Sequence, residues 1–422
     1  MPTADESAGD SGKGSAAGLT LGFMPLVDCA PLIVAGEKGF AAAEGLSLSL
    51  ARETSWANIR DRVMLGHFDA AHMLGPMPIA STLGIGHVET PMIAPFSLGL
   101  GGNAITLSPV LFAGLVIAGV DGAPGPREVG EAFARAVARR RDQGKAPVTL
   151  AVVHPFSGHN YELRYWLAAT GTDPDNDVRI TVLPPSFMVN AMLERQIDGF
   201  CVGEPWNSLA VEAGAGVIAV TKSALWRQGP EKVLGLRADF AERRPDELAA
   251  LLRALYRAAE WAGRIENHAE LADMLAAPRY LGVPAEIIGR ALSGRLIRVA
   301  DGAPEPAPDF LAFHAHAANF PWQSHSLWFY SQMVRWGQVA YSPALAQKAR
   351  AAYRPDLYRA ALAVTGIDLP RASAKVEGAL EVETPVASRN GAMALGPDGF
   401  FDGRLFDPDE IESYLASFGV HI

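Results

Sequence analysis

Between residues 19 and 237, short apolar runs that stop at glycine or proline alternate with segments whose apolar residues return at helical spacing. That alternation restricts the chain to an α/β architecture, because strands linked through helices stack side by side under helical layers. Apolar runs at 19–24, 46–50, 69–73, 103–107, 148–153, 177–183, 200–202, 217–220 and 234–237 read as strands. Helical spacing marks 30–39, 56–65, 76–83, 129–142, 160–170, 187–194 and 245–265, the last with Leu248, Leu251, Leu252 and Leu255 on one face. A Gly- and Pro-rich break at 119–126 falls inside the series. Past residue 268 the pattern turns mainly helical, through 330–336 and 343–364, while 372–388 reads as surface loop or extended chain. At 422 residues the chain suits two lobes better than one core.

Composition narrows the partners. With 49% hydrophobic and 19% charged residues the chain is globular, and its formal charge of −10 argues against direct binding to nucleic acid or an anionic membrane. An anionic ligand would need a local positive site. Cys29 and Cys201 lie inside apolar runs, which suits two reduced, buried thiols. Residues 1–17 are small, polar and acidic, without a basic start or an apolar stretch. They read as a disordered tail and not as an export signal, so the expected location is the cytoplasm.

Catalytic constellations are missing: no nucleophile elbow, phosphate loop, His-Glu-x-x-His or Cys-x-x-Cys occurs, so no enzyme, cofactor or metal is expected. His314, His316 and His325 cluster in sequence, but His-x-His near a helix start more often packs or caps than ligates. The stretch from Asp198 to Trp206 is more telling: an apolar run halts at Gly203, Glu204 and Pro205, as a strand end opening onto a cleft would. A small planar anion needs N–H donors converging on it, flat apolar walls and one fixed cation. Candidates at predicted strand ends and helix starts are Trp56, Asn103, His159, Gly203 and Lys232. Each has a plainer explanation as well: Trp56 as core, Asn103 as a turn, His159 as a helix cap, Lys232 as a solvated charge. Spacing alone does not choose between them.

The run Leu21-Gly22-Phe23-Met24-Pro25-Leu26-Val27-Asp28-Cys29-Ala30-Pro31 resembles the opening of nitrate- and bicarbonate-binding proteins typified by NrtA and CmpA. So do Ser55-Trp56-Ala57, His72-Met73-Leu74-Gly75-Pro76, Leu163-Arg164-Tyr165-Trp166, Phe200-Cys201-Val202-Gly203-Glu204-Pro205-Trp206 and Glu231-Lys232-Val233-Leu234-Gly235. The resemblance implies a two-lobed periplasmic-binding-protein fold of type II, with the ligand in a cleft between lobes and a largely helical C-terminal region. Lobe 1 would take residues 18–105 and 225–422, and lobe 2 residues 106–224. It also implies that nitrate or nitrite is held by Trp56, His159, Gly203 and Lys232, with Asn103 where the family carries a glutamine. The bicarbonate branch has an acid at the position of Lys232, so lysine implies a permanent anion and no calcium. Lacking an export signal, the chain looks closest to NasS, a cytoplasmic nitrate sensor whose ligand-free form holds the antiterminator NasT. A NasT-like protein is therefore the expected partner, and the transport protein of a nitrate ABC system is the alternative.

Overall fold

A computed structural model describes residues 16–117 and 124–420. The expected tail at 1–17 and the break at 119–126 therefore lie largely outside the described residues. Ten strands build two five-stranded sheets. They are β1 (Ala17–Phe23), β2 (Leu46–Arg52), β3 (Ala70–Leu74), β4 (Met92–Ser97), β5 (Asn103–Leu107), β6 (Val148–Val152), β7 (Val178–Val182), β8 (Gly199–Gly203), β9 (Val217–Thr221) and β10 (Lys232–Arg237). The first sheet has the order β2-β1-β3-β10-β4 and the second β9-β5-β8-β6-β7. In each, four strands run in one direction, as helical crossovers require, and a single antiparallel strand, β10 in the first sheet and β5 in the second, is the one on which the chain enters from the other sheet. Alternation along β8 sends Phe200 and Val202 into one apolar cluster and Cys201 into another.

β4 was not among the expected strands, because Pro95 interrupts its apolar run. It lies at the end of its sheet, and the pairing slips at Ala94-Pro95, so the missing N–H disrupts nothing. The segment expected to be helical over 343–364 is two helices, Pro343–Ala352 and Pro355–Leu362, since Pro355 cannot continue the first and instead begins the second. The helix expected at 330–336 starts earlier and spans Gln323–Arg335. Its first turn is polar, which hid the start.

Helices that matter for the site are α1 (Ala30–Glu37), α2 (Trp56–Met64), α3 (Gly158–Ala169), α4 (Pro245–Ala262) and α5 (Gln323–Arg335). Leu248, Leu251, Leu252 and Leu255 of α4 are all buried, as their spacing predicts. The chain passes between sheets twice, at 98–102 and at 222–231. Gly101 and Gly102 both have positive φ (77° and 86°), and the Gly101 N–H donates to the Gly229 carbonyl (3.0 Å), so the two crossings are bonded together. A side chain at Gly101 would collide with the Phe310 carbonyl. The C-terminal region touches both halves. Tyr353 Oη donates to the Gly75 carbonyl (3.1 Å) beside the first sheet, and Tyr161 Oη on α3 donates to Gln338 Oε1 (2.6 Å).

Candidate functional site

Polar side chains collect where the facing edges of the two sheets meet. The parallel strands β1, β2, β6 and β8 end there, and the antiparallel β5 and β10 begin there, which is the edge open α/β sheets offer to ligands. Trp56 is the first residue of α2, after Ser55, whose hydroxyl accepts the Asn58 N–H (3.2 Å). His159 is the second residue of α3, after Ser157, which caps that helix by accepting the Asn160 N–H (3.0 Å). Two serines therefore cap the helices, and the tryptophan and histidine are left for other work. Asn103 and Gly203 sit opposite one another across β5 and β8, and Lys232 opens β10. A Cβ placed on Gly203 would lie 3.3 Å from Asn103 Oδ1 and 3.6 Å from Asp28 Oδ2, which measures how close these elements approach. Lys232 Nζ stands 5.7 Å from the centre of the Trp56 ring. All five residues converge, and all five are buried.

The charges around them were not anticipated. Lys232 was expected as the fixed cation of the site, and it is held between two carboxylates: Asp28 Oδ2 at 2.9 Å and the side chain of Glu231. Lys222, just after β9, lies 2.5 Å from Glu162 Oε1 and 3.4 Å from Glu231 Oε1. Asn103 Nδ2 donates to Glu231 Oε1 (2.5 Å) and Glu162 Oε2 (3.3 Å), which orients its amide. His72 Nδ1 accepts the Met24 N–H (3.3 Å), leaving the ring proton on Nε2, 3.0 Å from Asp28 Oδ1. Gly158 makes room for this cluster, since a side chain there would meet the Glu231 carboxylate.

Burial raises the Asp28 carboxyl, but Lys232 and His72 outweigh it and hold it at about 2. Glu231 also lies well below the carboxylate range, burial being overcome by Lys232 and Lys222. Lys232 is pushed up, its own burial offset by Asp28 and Glu231. Glu162 moves the other way: burial raises it, Glu231 adds to the rise, and Lys222 only partly opposes it.

Against this paired background some buried atoms have no partner: Trp56 Nε1, both ring nitrogens of His159, and Asn103 Oδ1. Buried donors and acceptors are nearly always bonded, so a group of unpartnered ones at one point marks a place built for something else. Asp28, His72, Glu162, Lys222 and Glu231 were missed by sequence reasoning. Their signals were present: Asp28 and His72 are lone polar residues inside apolar runs, Glu162 lies one helical turn after His159, and Glu231 adjoins Lys232. Lys222 carried none. His314, His316 and His325 do not converge; His314 Nδ1 lies 3.2 Å from Asn319 Oδ1, while His325 reaches Glu377. Among the described residues no group of three or more His, Cys, Asp or Glu is placed to hold a metal, and no helix is long and apolar enough to cross a membrane.

A family model described as NMT1-like matches residues 12–276, more than half of the chain. The chain belongs to the NMT1-like family. Within it, the nitrate/nitrite binding protein NrtA of Nostoc sp. is 32% identical over 99% of this chain and 89% of its own length. The nitrate import ATP-binding protein NrtC of Synechocystis sp. is 39% identical over 76% of this chain, which spans about half of that relative (46%). The crystal structure of the periplasmic nitrate-binding protein NrtA from Synechocystis PCC 6803 superposes with a TM-score of 0.83 at 29% identity, covering 96% of this chain and 99% of that one. The periplasmic-binding-protein fold expected from the motifs is the fold of this NMT1-like chain.

Proposed function

We propose that the chain binds nitrate or nitrite between its two lobes and presents it to a membrane permease, as the substrate-binding component of a nitrate uptake system. One observation carries this reading: Trp56 Nε1 and both ring nitrogens of His159 are buried without partners and converge with Asn103 and Gly203 on Lys232. N–H donors from the indole and imidazole, with a flat ring beside a lysine, suit a small planar monoanion. Relatives that match the chain over most of their length include several named as nitrate/nitrite binding proteins, at 32–34% identity, and a bicarbonate-binding protein at 30%; nothing enzymatic is asked of the site, and the chain is a binding protein.

The test is isothermal titration of the purified protein with nitrate, nitrite and bicarbonate. Binding of the first two without bicarbonate supports the proposal, and binding of none overturns the site. The same titration repeated with a NasT-like antiterminator separates uptake from sensing. Linkage demands that a sensor's nitrate affinity fall when the partner is present. An affinity indifferent to that partner keeps the chain a transport component, and a weakened one, in a protein retained in the cytosol, makes it a regulator.

A further inference from the structure

The fixed charges at the lobe interface cancel among themselves before any ligand arrives. Two ammonium groups, Lys222 and Lys232, face three carboxyl groups, Asp28, Glu162 and Glu231. With Glu162 protonated the sum is zero, and with Glu162 ionised it is negative. A monoanion entering such a site adds a buried charge that none of these groups is left over to balance, which is among the most unfavourable events in a protein interior. The balancing charge has to arise at a group that is neutral beforehand and has a basic atom free.

His159 meets both requirements. Its ring is fully buried and neither nitrogen has a partner, so the neutral imidazole keeps one lone pair unused. The other bases acting on the ring are occupied: His72 Nδ1 takes the Met24 N–H and its Nε2 faces Asp28, Asp28 and Glu231 are each clasped by Lys232, and Glu162 is held by Lys222 and the Asn103 amide. We propose that each nitrate or nitrite enters together with one proton, taken from solvent and carried by the His159 ring. This rests on the reading of the site as a monoanion site. No bond of the ligand changes, and nitrate, the anion of a strong acid, could not carry the proton itself.

The groups facing His159 come from every surrounding element. Glu231 and Lys232 lie at the start of β10, Lys222 after β9, Asp28 after β1 with His72 of β3 behind it, and Glu162 one turn along α3. Cys201 on β8 and Tyr353 stay neutral, because burial pushes both up. Burial is the largest influence on the His159 ring; Glu231 opposes it, Lys232 and Lys222 reinforce it, and the balance holds the ring down to about 3. The unliganded site is therefore neutral at His159 near pH 7. A bound anion is the nearby negative charge that the ring lacks.

Nitrate titrations in buffers of differing ionisation enthalpy count the protons exchanged. The expected result is uptake of about one proton per nitrate, with the dissociation constant rising about tenfold per pH unit as pH increases. His159→Gln should bind more weakly, without proton uptake and with no pH dependence, whereas Glu162→Gln should keep the uptake. Binding to the wild type with no proton exchanged overturns the proposal, and so does uptake retained in His159→Gln or lost in Glu162→Gln, which would move the proton to Glu162. If His159→Gln binds too weakly to measure, the wild-type count and Glu162→Gln still decide. A wild type that binds neither anion instead removes the monoanion reading on which the proton stands.

Discussion

Among the described residues, the buried ionic cluster between the sheets and one in the C-terminal region are built to different ends. In the C-terminal region Lys375 Nζ meets Glu377 Oε2 (2.5 Å) and the side chain of Asp398. Ser324 Oγ donates to Glu377 Oε1 (2.6 Å), the Leu380 N–H donates to Asp398 Oδ1 (2.9 Å), and His325 Nε2 lies 3.4 Å from Glu377. Every carboxylate oxygen there has a partner, and the backbone of Glu377 is bonded both ways to Phe406. The cluster between the sheets has more charged groups, paired as closely, but around it Trp56, His159 and Asn103 keep unpartnered atoms. Buried charge alone does not distinguish a site from a clamp. What distinguishes it is how much hydrogen-bonding capacity is left over at one point: His325 Nδ1 at the C-terminal cluster, against Trp56 Nε1, both His159 ring nitrogens and Asn103 Oδ1 at the other.

The sharpest way to break the comparison is to remove each lysine. Lys375→Met leaves two carboxylates buried without a cation and should lower stability by about 3–5 kcal/mol in urea unfolding, with nitrate affinity unchanged in the folded protein. Lys232→Met should lose a similar amount and nitrate binding as well. A folded Lys375→Met protein that no longer binds nitrate would erase the distinction.

Acid should weaken both clusters alike. Lys375 and His325 overcome burial to hold Glu377 at about 2, as Lys232 and His72 do for Asp28. Depressed carboxyls bind fewer protons folded than unfolded, so their stabilisation is complete above about pH 4.5 and is lost as pH falls toward 2, about 2–3 kcal/mol each. Unfolding midpoints that stay level between those limits would contradict the ion pairing.

A rise from about pH 4.5 to 7 should weaken the side of the molecule next to Gly203. Glu204, next to Gly203, is raised to about 7, by burial first and with its bonds to Ser208 and Asn207 only partly opposing. The folded state then binds the extra proton, so stability is full below the unfolded value and falls as pH rises through about 7, by about 3 kcal/mol. Glu204→Gln should flatten that decline, and an unchanged decline would assign it elsewhere.

The smallest contrast uses two tryptophans. Trp56→Phe deletes an N–H with no internal partner and should leave stability level or slightly raised while weakening nitrate by about 1–2 kcal/mol. Trp328→Phe deletes the N–H that donates to Tyr414 Oη (3.2 Å) and should lower stability by about 1 kcal/mol with affinity intact. Equal stability losses in the two variants would place Trp56 among the core residues.

Periodicity determined the α/β class, most of the strands and the buried face of α4, because an apolar face at a fixed repeat is a local property that every residue on it reports. The Gly203 strand end was legible too, and that the five candidate residues lie together was legible only through a series of motifs in order, since each residue had a plainer explanation taken singly. Pro95 hid a strand because tolerance of proline depends on which edge of a sheet it occupies. Lys232 showed its position but not its company. Asp28, Glu162, Lys222 and Glu231 come from four separate places in the chain, and whether a lysine is a free cation or half of an ion pair is decided at distances of a few ångströms by elements far apart in sequence. The tertiary structure alone turned an expected positive pocket into a charge-balanced one, and showed the His159 ring, read as a ligand contact with helix capping as its plainer explanation, to be a buried base without an internal partner.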